Sequence, residues 1–392
     1  MRGDVIALAL AVALAVSATG PARAAEPYDL HVILPLTGGG AFVGKGHRDS
    51  LDTLAEVVNK SGGIQGRPVR FVYHDDQSSP QVAVQLANDV LAEKPAVILG
   101  SGLVAMCAAI APLMKSGPVD YCLSPAYHPP AGSFLFSSSS SAIDQSAAVI
   151  RYYRMEGWTK IATLNNTDAT GQANDKAVDE VVARPENKDV TLVEREHFNP
   201  TDISVAAQIE RIKASGAQAI VAGVTGSPAA TVFKGMVQAG LDIAVAPTSG
   251  NQTFPQMEQW VDFLPKGLVM GSALFPEHDG VLTLDPRVEA AQHDMYAALK
   301  ARGLKADNME ATSWDAGLIV VAALRALGPG ASAEQVRHYI AGLTDFAGID
   351  GIYDFKANPE RGLGSDSAIV VRYDAKSKSW AWLTQPGGAP LK

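Results

Sequence analysis

The sequence predicts an α/β protein built from two lobes, each with a Rossmann-like parallel sheet covered by helices. Short runs rich in β-branched and apolar residues alternate with helical apolar patterns along most of the 392 residues. Such alternation is typical of parallel sheets that carry helices on both faces. The strand–helix units outnumber the strands of one ordinary sheet, which favours two sheets. A hydrophobic content of 47% is enough to bury a large core.

In the first half of the chain, strands are expected at 30–36, 69–73, 96–100 and 119–123. The first helix, expected at 47–60, places Leu51, Leu54 and Val58 on one apolar face. A second helix begins at Pro80, since proline is favoured in a first turn, and ends near Ala92. A third is expected at 103–115.

The alternation resumes after the run Ser137–Ser141, which is either a solvated linker or a crossing between lobes. Helices are expected at 144–156, 172–182, 203–214 and 229–239, and strands at 160–164, 190–195, 219–224, 243–246 and 268–275. Three further helices, at 286–302, 309–327 and 332–341, precede short strands near 349–355, 367–373 and 379–383.

The N-terminus has the pattern of a secretory signal peptide. Arg2 precedes a run of twelve apolar residues from Val5 to Val16, and Ala22–Ala24 has the small-x-small spacing of a cleavage site. A membrane anchor is the alternative, but about 20 apolar residues are needed to cross a bilayer. We therefore expect residues 1–24 to be removed and the rest to be soluble in the periplasm.

Composition and motifs exclude several classes of function. The net charge of −9 and the absence of basic runs argue against nucleic-acid binding. The stretch Gly39–Gly46 is one residue short of a P-loop, because Gly46 stands where a Ser or Thr would bind magnesium. An exported protein also meets almost no ATP. We instead expect Gly38–Gly40 to let the backbone turn sharply and approach a ligand.

No catalytic or metal-binding constellation is apparent, so no catalytic residue, metal or cofactor is predicted. The sequence contains no G-x-S-x-G elbow, no H-E-x-x-H motif and no paired C-x-x-C. His74–Asp76 lies between a strand and a predicted helix start, where turn and capping roles are more common than metal binding. Glu277–Asp279 is isolated and is interpreted as a solvated loop.

The two cysteines, Cys107 and Cys122, are expected in the first turns of a helix and near the end of the neighbouring strand. The two positions share one rim of the sheet, so a disulfide is sterically reasonable in an exported protein. Two buried thiols are the alternative.

Two stretches carry a family resemblance: "ILPLTGGGAFVGKG" and "VVNKSGGIQGRPVRFVYHDDQSSPQVAVQLANDVL". With them the mature chain resembles periplasmic substrate-binding proteins of the leucine/isoleucine/valine-binding family of ABC transporters. The resemblance implies the type I periplasmic binding fold, a monomer whose lobes close around a small ligand and deliver it to an inner-membrane ABC permease, without catalysis. It implies three crossings, expected near 137–144, 274–277 and 346–351. Lobe 1 would then comprise 25–139 and 276–347, and lobe 2 would comprise 140–275 and 348–392.

The resemblance also implies where the ligand binds. On lobe 1, the positions that match the carboxylate-holding loops are Ser101, Tyr127 and His128, and those of the pocket-lining first loop are Phe42 and Val43. An ordinary loop or capping role is the alternative for each of them.

On lobe 2 the sequence departs from the amino-acid-binding pattern. Thr170 and Thr225 replace expected aromatic residues, and Thr248 stands where an acidic residue pairs with the ligand's ammonium group. We therefore expect a small organic acid without an α-ammonium, with an aromatic acid such as a benzoate or hydroxycinnamate relative first. A branched-chain amino acid is the alternative, with Asp168 as the residue able to take the acid's role. A receptor ectodomain and a secreted α/β enzyme are further rivals.

Overall fold

The structure is a computed structural model that describes residues 25–277 and 283–391. The expected signal peptide, 1–24, and most of Glu277–Asp279 lie outside the described residues. No helix in the described part of the chain is long and apolar enough to cross a bilayer.

The first sheet has five parallel strands in the order β2-β1-β3-β4-β5. Its elements, in chain order, are β1 (Tyr28–Leu34), α1 (Ala41–Lys60), β2 (Val69–Asp75), α2 (Pro80–Ala92), β3 (Val97–Leu99), α3 (Val104–Ile110), β4 (Val119–Cys122) and β5 (Leu135–Ser137). The short edge strand β5 was not predicted, because three residues are too few to form a pattern of alternation.

The second sheet has four parallel strands in the order β7-β6-β8-β9. The elements of this half are α4 (Ala142–Met155), β6 (Lys160–Asn166), α5 (Ala169–Val182), β7 (Thr191–Phe198), α6 (Ala206–Ala214), β8 (Ala219–Ala222), α7 (Ser227–Gln238), β9 (Ala244–Pro247), α8 (Phe254–Gln259) and β10 (Met270–Ser272), the last of which lies outside the four-stranded sheet. The expected fold class, two parallel sheets covered by helices, is confirmed.

The remaining elements complete both halves. They are α9 (Pro286–Ala301), α10 (Asn308–Leu327), α11 (Ala333–Gly342), β11 (Phe346–Gly348), β12 (Gly351–Tyr353), β13 (Ile369–Asp374), β14 (Ser379–Trp382), β15 (Thr384–Gln385) and β16 (Ala389–Pro390). Helices α9 to α11 pack against the first sheet. Strand β13 pairs antiparallel with β10 on one side and with β14 on the other, and this three-stranded sheet extends the second half.

Each parallel sheet is covered by apolar side chains on both faces. In the first sheet, Val32 and Leu34 of β1 face a cluster with α1, α10 and α11, whereas Ile33 faces a second cluster with α2 and α3. This alternation follows from the two-residue period of a strand. Two further clusters cover the second sheet in the same way. Burial on both faces accounts for the continuous apolar runs in the sequence.

Apart from Leu274, Leu284 and Val288, which pack in a cluster of the second sheet, the described chain passes between the clusters of the two sheets at three places. The first change follows β5, within the expected crossing at 137–144, and the second lies between Met270 and Phe275. The third lies between Leu363, in the cluster of the first sheet, and Ala368, in a cluster of the second. This third change lies later in the chain than the crossing expected at 346–351, and later than the expected boundary between lobe 1 and lobe 2 after residue 347. The division into lobes at the stated boundaries stays a prediction.

The glycine stretch that resembles a P-loop forms the beginning of α1. The helix was expected to begin at residue 47 but begins at Ala41, with Gly44 and Gly46 inside it. A Cβ at Gly44 would lie 2.3 Å from the carbonyl oxygen of Pro35. The close approach of the helix to the end of β1 therefore requires glycine there, and this tertiary contact overrides glycine's low helix propensity.

The serine run between the halves is a buried crossing. All five side chains of Ser137–Ser141 are at most 6% exposed. Ser139 Oγ donates to the Asp350 carboxylate at 2.7 Å, and Ser141 Oγ accepts from the N–H of Asp144 to cap α4. The interpretation as a solvated linker is therefore wrong, because the run is packed and hydrogen-bonded.

The predicted disulfide is present. Cys107 in α3 and Cys122 at the end of β4 are bonded, with Cα atoms 5.9 Å apart and a sequence separation of 15. Both cysteines are fully buried. The bond therefore joins α3, which follows the loop after β3, to β4, which precedes the next loop of the site.

Removing this bond should destabilise the protein. In the chain-entropy model, a loop of about 15 residues corresponds to roughly 3 kcal/mol of unfolding free energy. We expect the C107A/C122A double variant to lose about that amount in urea unfolding. Wild-type protein unfolded with a reductant is the matched control and should behave like the variant. Equal unfolding free energies for the variant and the oxidised wild type would contradict the expectation.

Candidate functional site

A cavity lies between the two sheets, at the carboxyl ends of their strands. It has a volume of about 120 Å³. One wall comes from α1 and from the loops that follow β3 and β4, and the other from α5 and from the loops that follow β8 and β9. Crevices outside the carboxyl ends of parallel strands are the usual ligand sites of such sheets. The strand directions of both halves therefore converge on one candidate site.

The lining is neutral. Among the described residues that line the cavity, none has an ionisable side chain. Aliphatic side chains such as Val43, Leu103, Leu123 and Val149 cover much of the surface. The polar lining residues are Ser124, Gln145, Ser146, Thr170, Asn174, Thr225, Thr248, Ser249, Asn308 and Thr312. Hydroxyl and amide groups, together with backbone groups, are thus what this cavity offers a ligand.

Thr225 and Thr248 meet at the second wall, with their Oγ1 atoms 2.6 Å apart. Thr248 Oγ1 also lies 2.9 Å from the carbonyl oxygen of Val224, which can only accept, so the Thr248 hydroxyl donates there. Thr225 then donates to Thr248 and keeps its own oxygen as an acceptor. Asn251 supports the corner, since its amide donates to Val224 and accepts from the N–H of Gly226. This corner presents a hydrogen-bond acceptor to the cavity.

Four of the eight predicted site residues line the cavity: Val43, Thr170, Thr225 and Thr248. Val43 is buried in the first turn of α1, and Thr170 lies in the first turn of α5. The loops that carry Thr225 and Thr248, where the sequence departs from the amino-acid-binding pattern, both reach the cavity.

The structure does not bring Ser101 into the lining. Its side chain is fully buried and points the other way, where its Oγ donates to Asp76 Oδ2 at 2.8 Å. Burial raises the pKa of this Asp76 carboxyl. The following residues Gly102 and Leu103 form the wall instead. Asp75 and Asp76 accept from nearby N–H groups, so the turn interpretation of His74–Asp76 holds.

Phe42, Tyr127 and His128 lie beside the cavity and not in its lining. The ring of Phe42 faces Gly226 across the cleft, where a Cβ would lie 3.3 Å from Cε1. Tyr127 packs against the cluster of α2 and α3, and His128 is exposed. Ser124, Pro125 and Ala126, directly before these two residues, line the cavity.

Sequence reasoning missed four polar residues that also line the cavity: Gln145 and Ser146 of α4, and Asn308 and Thr312 of α10. Asn308 is 1% exposed, and its Oδ1 has no partner among the described residues. A buried amide oxygen without a partner is costly, so it is a candidate ligand contact. The sequence feature that could have indicated Asn308 is Asp307, a typical N-cap residue. It accepts from the N–H of Met309 at the start of α10, so Asn308 is the first residue of that helix.

Ionisable groups behind the lining are largely held neutral by burial. His47 packs directly behind Gly102, and burial lowers its pKa to about 4. Its Nδ1 lies 2.8 Å from the carbonyl oxygen of Met309 and donates to it. Burial also raises the pKa of the neighbouring Asp307 and Glu310 carboxyls. In the described residues no group of His, Cys, Asp and Glu could hold a metal ion.

Comparisons with known proteins agree with this geometry. A family model described as "periplasmic binding protein" matches residues 29–378. The chain is 22% identical over 302 residues to a Leu/Ile/Val-binding protein homologue of Brucella melitensis, covering 76% of this chain and 78% of that protein.

Solved structures share the fold across nearly the whole chain. An extracellular ligand-binding receptor from Rhodopseudomonas palustris is 18% identical, with a TM-score of 0.80, and covers 92% of this chain and 100% of that one. The substrate-binding protein of a branched-chain amino acid transporter from Streptococcus pneumoniae, in complex with isoleucine, is 16% identical with a TM-score of 0.73 and coverages of 94% and 98%. An ABC transporter solute-binding protein from R. palustris, in complex with benzoate, is 16% identical with a TM-score of 0.73 and coverages of 93% and 97%.

Filling the cavity should abolish binding without unfolding the protein. Ala173 lines the cavity from α5, and leucine is also a good helix former, so A173L adds volume without breaking the helix. We expect the variant to lose ligand affinity at least tenfold in calorimetry and to keep its ligand-free melting temperature. A297L, at an exposed position of α9, is the matched control and should bind normally. Undiminished binding by A173L would place the ligand elsewhere.

Proposed function

The chain belongs to the periplasmic binding protein family, and we propose that it is the extracytoplasmic solute-binding component of an ABC importer, specific for a small organic acid. An aromatic acid, such as a benzoate or hydroxycinnamate relative, is the first candidate. The protein would work as a periplasmic monomer that closes around its ligand and presents it to an inner-membrane permease. It would bind no nucleic acid and use no cofactor.

The proposed ligand class rests on one observation: none of the described residues that line the cavity has an acidic side chain. A buried ammonium group without a carboxylate partner is costly. The position expected to supply that carboxylate is Thr248, whose hydroxyl is already engaged with Val224 and Thr225. An organic acid without an ammonium group avoids this cost, and its carboxylate can accept from hydroxyl, amide and backbone N–H groups.

The size of the cavity favours a ligand of about one ring. An engineered apolar cavity of about 150 Å³ holds benzene, and this cavity has about 120 Å³ with mixed apolar and polar walls. The acceptor at Thr225 suits a ligand hydroxyl at the end opposite the carboxylate. The similar R. palustris protein in complex with benzoate has a ligand of the proposed class.

A branched-chain amino acid is the second candidate, since the similar S. pneumoniae protein is in complex with isoleucine. Asp168 was the residue able to receive its ammonium group. This carboxylate caps α5 and accepts from the N–H groups of Thr170 at 2.9 Å and Gly171 at 3.1 Å. It is not among the described lining residues. Its capping role therefore supports the organic acid over the amino acid. A secreted α/β enzyme is a weaker third candidate, as no catalytic motif accompanies the fold.

Matched ligand pairs test the ligand class directly. We expect phenylpyruvate to bind more tightly than phenylalanine, and 4-methyl-2-oxopentanoate more tightly than leucine, because only the amino acids bring an ammonium group. Isothermal calorimetry measures both, and micromolar binding corresponds to about −8 kcal/mol. Benzoate and 4-hydroxybenzoate extend the series, and the hydroxyl should add affinity through Thr225.

The T225V variant is the control for that hydroxyl contact, since valine keeps the shape and removes the oxygen. A second test separates a carrier from an enzyme. After incubation with the protein, we expect the ligand to be recovered chemically unchanged. Tight binding of leucine or phenylalanine together with no binding of their keto partners would overturn the organic-acid assignment.

Ligand binding should also make the molecule more compact. The two halves touch around the cavity, where the N–H of Asn308 donates to Gln252 at 3.2 Å and the N–H of Phe254 donates to Asp307 at 3.3 Å. A ligand that contacts both walls favours the state in which they are close. Small-angle scattering should therefore give a smaller radius of gyration for wild type with ligand, and no change for A173L. An unchanged wild-type profile at saturation would contradict hinge closure.

A further inference from the structure

A buried cation stands directly behind the first wall of the cavity. Arg361 is 7% exposed, and its guanidinium donates to four carbonyl oxygens. Nη2 donates to Tyr127 at 2.6 Å and Pro125 at 3.4 Å, while Nη1 donates to Ser138 and Ser139 at 3.1 Å each. One side chain thus joins the loop after β4 to the serine crossing between the halves.

The charge of Arg361 is not paired with a carboxylate in the described parts of the chain; its hydrogen bonds all go to carbonyl oxygens. Asp144 is the acidic residue that acts on it electrostatically, and that carboxylate accepts from Ser141 Oγ at 2.6 Å. Burial lowers the pKa of Arg361 to about 10, which reflects the cost of its position. A buried charge without a carboxylate partner costs stability, and the four hydrogen bonds of Arg361 offset part of that cost while holding the charge beside the cavity wall.

The bonded peptides connect this charge to the cavity. Pro125 and Ala126 both line the cavity, and the Pro125 carbonyl points at Arg361 and at the N–H of Ala142. In a planar trans peptide the N–H points opposite to the C=O, so the N–H of Ala126 points away from the guanidinium. The loop therefore aligns a peptide dipole with its positive end directed away from a cation.

We propose that Arg361 is a positioning residue that makes this wall selective for an anionic ligand group, which accepts from the N–H of Ala126. The inference deepens the proposed function and rests on it. Arg361 acts in two ways at once. It fixes the direction of the peptides between Pro125 and Tyr127, and it supplies a positive potential through a neutral wall in a low-dielectric interior.

Benzoate and benzamide test the charge preference, since the two have nearly the same shape and differ in charge. If screening finds a tighter acid, that acid and its amide replace them. We expect wild type to prefer the acid, and R361Q to reduce affinity for the acid at least tenfold more than affinity for the amide. R361K keeps the charge and should retain most of the preference.

R337Q is the matched control. Arg337 also donates to loop carbonyls, those of Gly132 and Ser133, but these residues do not line the cavity. Its loss should leave both affinities unchanged. Circular dichroism and melting temperature check that each variant is folded. If R361Q does not fold, the affinities of wild type for benzoate and benzamide still test the predicted preference for the acid.

The outcomes separate the two proposals. If wild type binds no organic acid, the proposed function fails and the role of Arg361 fails with it. If wild type binds the acid but R361Q weakens acid and amide equally, Arg361 is merely structural and only the present inference is overturned. Equal affinity of wild type for acid and amide would also overturn it, without any variant.

Discussion

The direction of the parallel strands is the constraint on which the site depends. The loops after β3, β4, β8 and β9, and the helices α1 and α5 that follow β1 and β6, meet at the cleft because parallel strands point their carboxyl ends to the same edge of a sheet. The residues that line the cavity are consequently those that start helices or follow strands, as Thr170 and Thr248 do. The direction of the strands alone is enough to place these residues at the site. The disulfide joins α3 to β4, and Arg361 joins the loop after β4 to the serine crossing, so the loops of the first wall are held in place.

The same constraint determines how the cavity handles charge. Loops between strands and helices bring backbone groups and short polar side chains, whereas long charged side chains lie behind them or in solvent. Arg361, His47 and Glu310 all stand one layer behind the wall, and burial disfavours the charged form of each. A ligand thus meets dipoles whose directions are fixed by groups that it never touches. Selectivity for charge can be built in this way without a salt bridge to the ligand.

The sequence predicts the scaffold well and the site in part. Helix α2 was predicted with the observed bounds because its proline start and apolar face are local signals. Helix α1 was predicted too short, since Gly44 is there for a tertiary contact with Pro35 that no local pattern reveals. Ser101 was expected to face the ligand, but the buried Asp76, 25 residues earlier, draws its hydroxyl away. Asn308 lies close to loops more than 50 residues distant in sequence, and only the folded chain brings them together.

The run Ser137–Ser141 shows that a stretch of one residue type can be structurally heterogeneous. Its five identical letters meet different local demands: Ser139 has a left-handed backbone, with φ of 64°, and binds Asp350, Ser137 donates to Ser124, and Ser141 caps a helix. Serine is small enough for a packed crossing and can both donate and accept. The five serines are therefore identical in sequence but different in structural role. The residues that could replace them differ accordingly: glycine or asparagine suits the left-handed backbone of Ser139, and aspartate or threonine suits the helix cap at Ser141.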